Sequence, residues 1–292
     1  MKILIQARQI AKQILEKGQA DAILGLMEKN GFVGPGLLRS PQDAEDLVLE
    51  PKILLSKIGL RILKAAPAGF RLAIMCRGCD ERALRELAKM NQLDLGAVRL
   101  VGVACGEFQA VRCMCQRPYP THTDVGKNVT GVDPFSDEKM LALLQKEDIT
   151  GMKGWASMLQ KCIKCYGCRN ACPLCVCDPC RLTDGAWILP IDISPEPMAF
   201  HLIRAFHLAD RCVACGACQE TCPADIPLLA IQLFLRKVMK ESYGYEPGLD
   251  AELRYPLLGD LIKESGKDDE LPSWESSLSP KQPLVERGEE KI

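Results

Sequence analysis

Apolar residues recur at helical spacing near the start of the chain (Ala7, Ile10, Ala11, Ile14, Leu15), which predicts a helix over 7–17 that Gly18 stops. Ala20–Met27 reads as a short strand. Gly31-Phe32-Val33-Gly34-Pro35-Gly36 resembles a phosphate loop at first sight. It lacks both the six-residue fingerprint and a following lysine, so a plain turn is expected. Ser40-Pro41-Gln42-Asp43 has the order of a helix start: a cap residue, a proline at the first helical position and an acid soon after. A second helix is expected over 52–64.

The next stretch has the clearest pattern. Arg71–Met75 and Val98–Ala104 are mostly apolar runs that read as buried strands. Between them, Ala83, Leu84, Leu87, Ala88 and Met90 define a helix for which Asp80 is the expected cap. Strand, helix and strand in this order make a βαβ unit with parallel strands. Ligand sites in such sheets lie beyond the carboxyl ends of the strands. Cys76 and Cys79 follow the first strand, Cys105 follows the second, and Cys113 and Cys115 lie in the loop beyond. One crossover should therefore gather cysteines that are distant in sequence at a single sheet edge.

Prolines and glycines are scattered over 118–135, ahead of a helix that Ser136 could cap. The expected organisation is an α/β domain with a small parallel sheet and cluster-binding loops over 1–130 and a linker helix over 131–154. A mainly α-helical, dicluster ferredoxin-like domain follows over 155–240, and an extended or partly disordered arm over 241–292. The polar, proline-containing residues after Ser265 suit an arm that orders on a partner as well as they suit simple disorder.

Composition narrows the class. Lys plus Arg number 37 and Asp plus Glu 38, for a net charge of −1. Such a chain has no surplus charge for wrapping a nucleic-acid backbone. Aromatics at 5% argue against base-stacking platforms. Gln6, Arg8 and Gln9 interrupt the opening apolar run, so no secretory signal is read. The apolar stretch Ile226–Leu235 is about half of the roughly 20 residues that a membrane span needs. A soluble cytoplasmic protein is expected, in which dense cysteines signify metal or redox chemistry rather than disulfides.

Eleven of the 16 cysteines fall between Cys162 and Cys222. Cys162-x2-Cys165-x2-Cys168-x3-Cys172-Pro173 recurs as Cys212-x2-Cys215-x2-Cys218-x3-Cys222-Pro223. Three thiolates spaced by two residues can wrap one iron–sulfur cube, while the fourth, before proline, reaches the other cube. This crossing assigns Cys162, Cys165, Cys168 and Cys222 to one 4Fe-4S cluster, and Cys212, Cys215, Cys218 and Cys172 to a second. Structural zinc could be built from paired Cys-x2-Cys units, but it explains neither the cysteine before proline nor the repeat. Disulfides would be strained at this spacing. Cys172 and Cys212 are 40 positions apart, and Pro197–Asp210 and Leu228–Met239 read as helices, which favours a helical ferredoxin-like arrangement.

Eight cysteines remain, enough for two further cubes. Cys79, Cys105, Cys113 and Cys115 form a quartet at the sheet edge. Cys175, Cys177 and Cys180 form a set whose fourth ligand is Cys76 or a non-cysteine group, although Cys76, ending an apolar strand, also reads as an inert buried thiol. His122, His201 and His207 read as hydrogen-bonded structural residues, and Arg204 and Arg211 as either field-shaping or solvated groups.

Val103-Ala104-Cys105-Gly106, Cys113-x-Cys115 and His122-Thr123-Asp124-Val125-Gly126 together resemble the β-subunit family of deazaflavin-linked hydrogenases and dehydrogenases. In that family a Gly-x-Pro-Cys strand end, a Cys-x2-Cys and a downstream Asp-Val/Ile-x-x-Gly hold a 4Fe-4S cluster. Arg77-Gly78-Cys79-Asp80-Glu81-Arg82-Ala83-Leu84 looks like a subgroup found with formate dehydrogenase, hydrogenase or heterodisulfide reductase components in anaerobes. Arg204-Ala205-Phe206-His207 before Cys212 is similar to the helical ferredoxins of heterodisulfide reductase subunits. The resemblance covers roughly 70–130 and 155–240. Ala104 stands where the family has proline, the loop pair is spaced by one residue, and the family's long flavin-binding portion has no evident counterpart, so FAD is not carried over.

The resemblance implies an iron–sulfur electron-transfer subunit of a multi-subunit oxidoreductase, working with other subunits. No acid/base pair or activated nucleophile stands out, which leaves catalysis to a partner. The competing reading is a flavin- or cluster-dependent reductase that acts directly on a small substrate at the N-terminal domain.

Overall fold

A computed structural model describes residues 2–136, 138, 152–183 and 197–257, with the backbone alone at 152 and 153. Contacts divide the chain into two units, Met1–Pro256 and Leu257–Ile292. The second unit lies outside the described residues apart from Leu257, as do most of the expected linker helix and the arm beyond 257.

Helix α1 (Lys2–Glu16) buries Ala7, Ala11 and Ile14, one stripe at helical spacing, and Gly18 leaves it in the left-handed region (φ 58°). Strand β1 (Ala22–Lys29) then pairs antiparallel with β2 (Phe32–Leu38). The segment expected to be a plain turn is therefore a strand. The turn is Asn30-Gly31, whose positive φ values (55° and 78°) suit a two-residue hairpin. Pro35 and Gly36 are tolerated because β2 lies at the sheet edge.

After a short 3-10 turn at Pro41–Asp46, strand β3 (Leu47–Val48) also pairs with β1. The helix start expected at Ser40-Pro41-Gln42-Asp43 is this 3-10 turn, in which Asp43 accepts the Ser40 N–H (2.9 Å). Helix α2 (Ser56–Ala65), strand β4 (Leu72–Arg77), helix α3 (Gly78–Lys89) and strand β5 (Val98–Val103) follow. The sheet order is β2-β1-β4-β5, with β1, β4 and β5 parallel. The βαβ unit is present, but the β1–β2 hairpin makes the sheet mixed rather than wholly parallel. Every residue of β4 is buried, as expected of a strand with parallel neighbours on both sides.

Asp80 does not start its own helix. Helix α3 begins at Gly78, with Arg77 in the cap position. The Asp80 carboxylate instead accepts the N–H groups of Leu55 (2.7 Å) and Ser56 (2.9 Å), capping α2 from outside. The first N–H groups of a helix have no partner within it, and at this buried end only a side chain from another element can supply one.

Helix α4 (Glu107–Arg112) follows β5. The cysteine-rich part is helical in its described residues: α5 (Met152–Leu159), α6 (Gly167–Ala171), α7 (Pro197–Leu208), α8 (Ala217–Glu220) and α9 (Leu228–Tyr243). Helices α6 and α8 pack against each other, and so do α7 and α5. One continuous apolar cluster joins the sheet to Cys172, Leu174, Leu208, Val213 and Cys215, so the second cysteine repeat sits directly on the N-terminal core.

The segment after α9 is pinned to α3. Glu86, with no exposed side-chain surface, accepts the N–H of Gly248 (2.6 Å) and the ammonium of Lys89 (3.1 Å), which also lies over the Tyr245 and Tyr255 rings. Burial pushes the Glu86 carboxyl up, and Lys89 opposes that shift. Truncation leaves a buried ammonium without its counter-charge, so Glu86→Ala should cost about 3 kcal/mol in chemical denaturation. A loss under about 1 kcal/mol would show that the segment is held by other contacts.

Candidate metal centres

Register sets the first site. Arg77 pairs with Val103 at the ends of β4 and β5, so Cys79 and Cys105 emerge side by side from one edge. Helix α4 then carries the chain from Cys105 to Cys113, and Met114, in the left-handed region (φ 47°), turns it to Cys115. The four sulfur-bearing residues Cys79, Cys105, Cys113 and Cys115 line one cavity of about 310 Å³.

The His122–Gly126 segment fixes that edge without entering the cavity lining. The Asp124 carboxylate accepts the Gly102 N–H (2.7 Å), Val125 accepts the Ala104 N–H (2.9 Å), and Pro118 accepts the Cys105 N–H (2.8 Å). Glu81 accepts the Thr121 N–H (2.7 Å) from the same loop.

Cationic side chains approach three of these sulfurs. Lys52 Nζ lies 3.2 Å from Cys113 Sγ, an Arg77 guanidinium nitrogen 3.5 Å from Cys105 Sγ, and an Arg82 nitrogen 3.9 Å from Cys115 Sγ. The Gln109 amide adds a contact of 2.9 Å to Cys113 Sγ. Burial pushes the Cys79 thiol up to about 12, with Asp80 adding to the shift. Burial works against the Lys52 ammonium, but Cys79, Cys113, Glu220 and Cys215 outweigh it and hold its pKa above the ordinary value. Neither Lys52 nor Gln109 stands out in the sequence, and Arg77 and Arg82 figure there only within a motif. They come from separate elements, so no periodicity connects them.

The repeated motifs fold alike. Lys164 and Ala214, each two residues after the first cysteine, are both left-handed (φ 50° and 53°), and so are Tyr166 and Gly216 two residues later (φ 57° and 77°). Left-handed backbone is uncommon outside glycine, so its recurrence at matching positions is informative. In each copy the N–H of the first left-handed residue donates to the first cysteine: Lys164 to Cys162 Sγ and Ala214 to Cys212 Sγ, both at 3.4 Å. Successive N–H groups turned inward in this way form a concavity suited to anionic sulfur.

Cys162, Cys165, Cys168 and Cys222 line a second cavity of about 320 Å³ with Tyr166, Phe200 and His201. His201 is 3% exposed, and neither of its ring nitrogens has a hydrogen-bond partner among the described residues. Burial and the charge of Arg204 lower its pKa to about 4, so the ring is neutral at pH 7. Cys172 lies in electrostatic range of Cys212, Cys215 and Cys218. Cys222 thus shares a cavity with the triplet of the first copy, and Cys172 lies within electrostatic range of the triplet of the second.

Arg204 stands between these two sets, donating to the Cys168 carbonyl (3.0 Å) while its charge acts on Cys172 and Cys218. Cys215 feels Cys79 electrostatically and also lines the sheet-edge cavity. Lys52 ties these two together, donating to the Cys215 carbonyl at 2.6 Å. Arg204 and Lys52 thus each reach two of the three sets.

Four cysteines lie outside these three sets. The Cys175 N–H donates to the Cys172 carbonyl (3.4 Å), and the neighbouring Cys175 thiol and the charge of Arg204 both favour the Cys172 thiolate. Cys180 packs against a different apolar cluster, and Cys177 is exposed. Cys76 is completely buried in β4, and burial pushes its thiol up. Among the described residues, no group of three or more His, Cys, Asp or Glu side chains is suited to a single metal ion. The two cavities, lined by five and by four cysteines, have the soft donor set that iron–sulfur clusters use.

No protein-family model matches the chain. Over 108 residues it is 38% identical to the F420-dependent formate dehydrogenase subunit beta of Methanocaldococcus jannaschii, a match that covers 37% of this chain and 28% of that protein. Over 209 residues it is 28% identical to the F420-dependent formate dehydrogenase 1 subunit beta of Methanococcus maripaludis, covering 65% of this chain and 52% of that protein. The chain spans about half the length, or less, of these curated relatives. No helix among the described residues is long and apolar enough to cross a membrane. The resemblance to oxidoreductase β subunits read from the cysteine motifs is thus matched by two named relatives, each similar to this chain over part of its length.

Proposed function

We propose that this chain is an iron–sulfur electron-transfer subunit of an anaerobic oxidoreductase complex of the formate dehydrogenase, hydrogenase or heterodisulfide reductase type. Its second half is read as a helical dicluster ferredoxin-like domain of heterodisulfide reductase kind. Cys162, Cys165, Cys168 and Cys222 would hold one 4Fe-4S cluster, and Cys212, Cys215, Cys218 and Cys172 a second. Cys79, Cys105, Cys113 and Cys115 would hold a third. Cys175, Cys177 and Cys180 are the candidate ligands of a fourth. Bound clusters supply one-electron chemistry. The chain's own part is to shield the thiolates from water, donate N–H groups to sulfur and set the three sites in series.

The observation that carries this reading is the recurrence of one loop geometry. Matching left-handed residues and the same N–H to sulfur contact appear in both cysteine repeats. The partial likeness to formate dehydrogenase β subunits supports the placement in a complex.

Anaerobic purification followed by iron and acid-labile sulfide analysis tests it. Three cubes require about 12 iron and 12 sulfide per chain, and a fourth would raise each to about 16. Zinc in their place, or the absence of labile sulfide, would overturn the reading.

A further inference from the structure

We propose that Lys52, Arg77 and Arg82 form a cationic cradle that makes the sheet-edge centre the most easily reduced of the chain's iron–sulfur centres, and so the point at which its electrons collect. This inference rests on the cluster reading above. The three cations come from three elements, the loop before α2, the end of β4 and the second turn of α3, yet they converge on three of four sulfurs at 3.2, 3.5 and 3.9 Å. The Lys52 side chain is 5% exposed, and Arg77 and Arg82 are 7% and 6% exposed.

Reduction adds one negative charge to a cluster. Cations held against its thiolates in a poorly solvated site favour that added charge far more than they would in water. Hydrogen bonds to sulfur act in the same direction.

The ferredoxin-type sites are furnished differently. Their described sulfur contacts are backbone N–H groups, Lys164 to Cys162 and Ala214 to Cys212. The buried cations beside them, Arg204 and Arg236, act by charge on Cys168, Cys172, Cys218 and Cys212, but their described hydrogen bonds go to the carbonyls of Cys168 and Cys212 rather than to these sulfurs. Carboxylates do face the cradle. Glu50 and Glu220 pair with Arg77 and Lys52, but their side chains are 65% and 33% exposed, so water screens them. Asp80 is buried near Cys79, with its charge engaged by two N–H groups of α2.

The test is an EPR-monitored redox titration of the full chain, prepared anaerobically with its clusters. Cys113→Ser identifies the signal of the sheet-edge centre by removing it. In the unaltered protein that signal should have the highest midpoint. Lys52→Gln and Arg82→Gln should each lower it at least tenfold in the one-electron equilibrium, about 59 mV. Arg82→Gln should leave the other midpoints in place, whereas Lys52→Gln should also lower, by less, the midpoint of the centre that Cys215 would serve. Lys52→Arg should recover most of the shift. If Lys52→Gln sheds the centre, Arg82→Gln and Lys52→Arg decide the matter. About 12 iron with unmoved midpoints, or a higher midpoint at a ferredoxin-type centre, overturns this inference alone. About eight iron in the unaltered protein means no third centre and overturns the cluster reading as well.

Discussion

Gly102→Ala should abolish the sheet-edge site while leaving the cysteine repeats able to bind iron. Gly102 lies within β5, where glycine is ordinarily a weakness. Here the His122 backbone runs directly over it. A Cβ at this position would overlap the His122 carbonyl and come within 2.9 Å of Pro120. Gly78, at the start of α3, is closed off in the same way by the Tyr119 carbonyl, and Gly131 by that of Gln116. The loop that follows Cys115 is thus clamped against two glycines at the strand ends.

Neither backbone can retreat easily. The Gly102 N–H donates to Asp124, and its carbonyl accepts the N–H groups of Asp124 and Val125 at 2.8 Å each. Overpacking of this kind costs about 1–3 kcal/mol when side chains can yield, and the upper end is expected against backbone. The readouts are a fall of about 3 kcal/mol in stability and the loss of about four iron per chain. An alanine variant with full iron content would show that the loop does not need this close approach.

The second large effect concerns the crossing of ligands between the two cysteine repeats. If Cys222 completes the set of Cys162, then Cys162→Ser combined with Cys222→Ser damages one cluster and removes about four iron. Cys212→Ser combined with Cys222→Ser then damages two and removes about eight. An uncrossed arrangement predicts the reverse. The shared cavity of Cys162 and Cys222, and the electrostatic neighbourhood of Cys172 with Cys212, Cys215 and Cys218, support the crossed outcome. Loss of both clusters should also unfold this part of the chain, because metal binding there is coupled to folding. A double variant at Cys162 and Cys222 that loses about eight iron would refute the crossing.

Short-range information was legible in the residues. The βαβ unit, the α1 stripe, the helical turn that starts at Ser40 and the helices around the second repeat follow from apolar period and cap chemistry, which act over a few neighbouring residues. The gathering of Cys79 with Cys105 was also accessible, because parallel strands joined by one crossover must end at the same edge. The β1–β2 hairpin was missed although Asn30-Gly31 is a strong turn dipeptide; the glycines and proline of β2 disguised an edge strand as a loop. Asp80 reads in sequence as the cap of its own helix because cap signals lie directly ahead of an apolar run, whereas in the fold it is the acceptor for α2, supplied from α3.

By itself, then, the amino-acid order determined which residues can bind soft metal and how the strands beneath one quartet must run. Both follow from local spacing. It did not determine the environment of the sulfurs. Lys52, Arg77 and Arg82 approach the sheet-edge thiols only once three elements have packed together, and Lys52 reaches Cys215 across a separation of 163 residues. Glycines 78 and 102 acquire their purpose only when a distant loop lies over them. Charge and close packing act through space, and without a periodic signature along the chain they become visible only in the folded molecule.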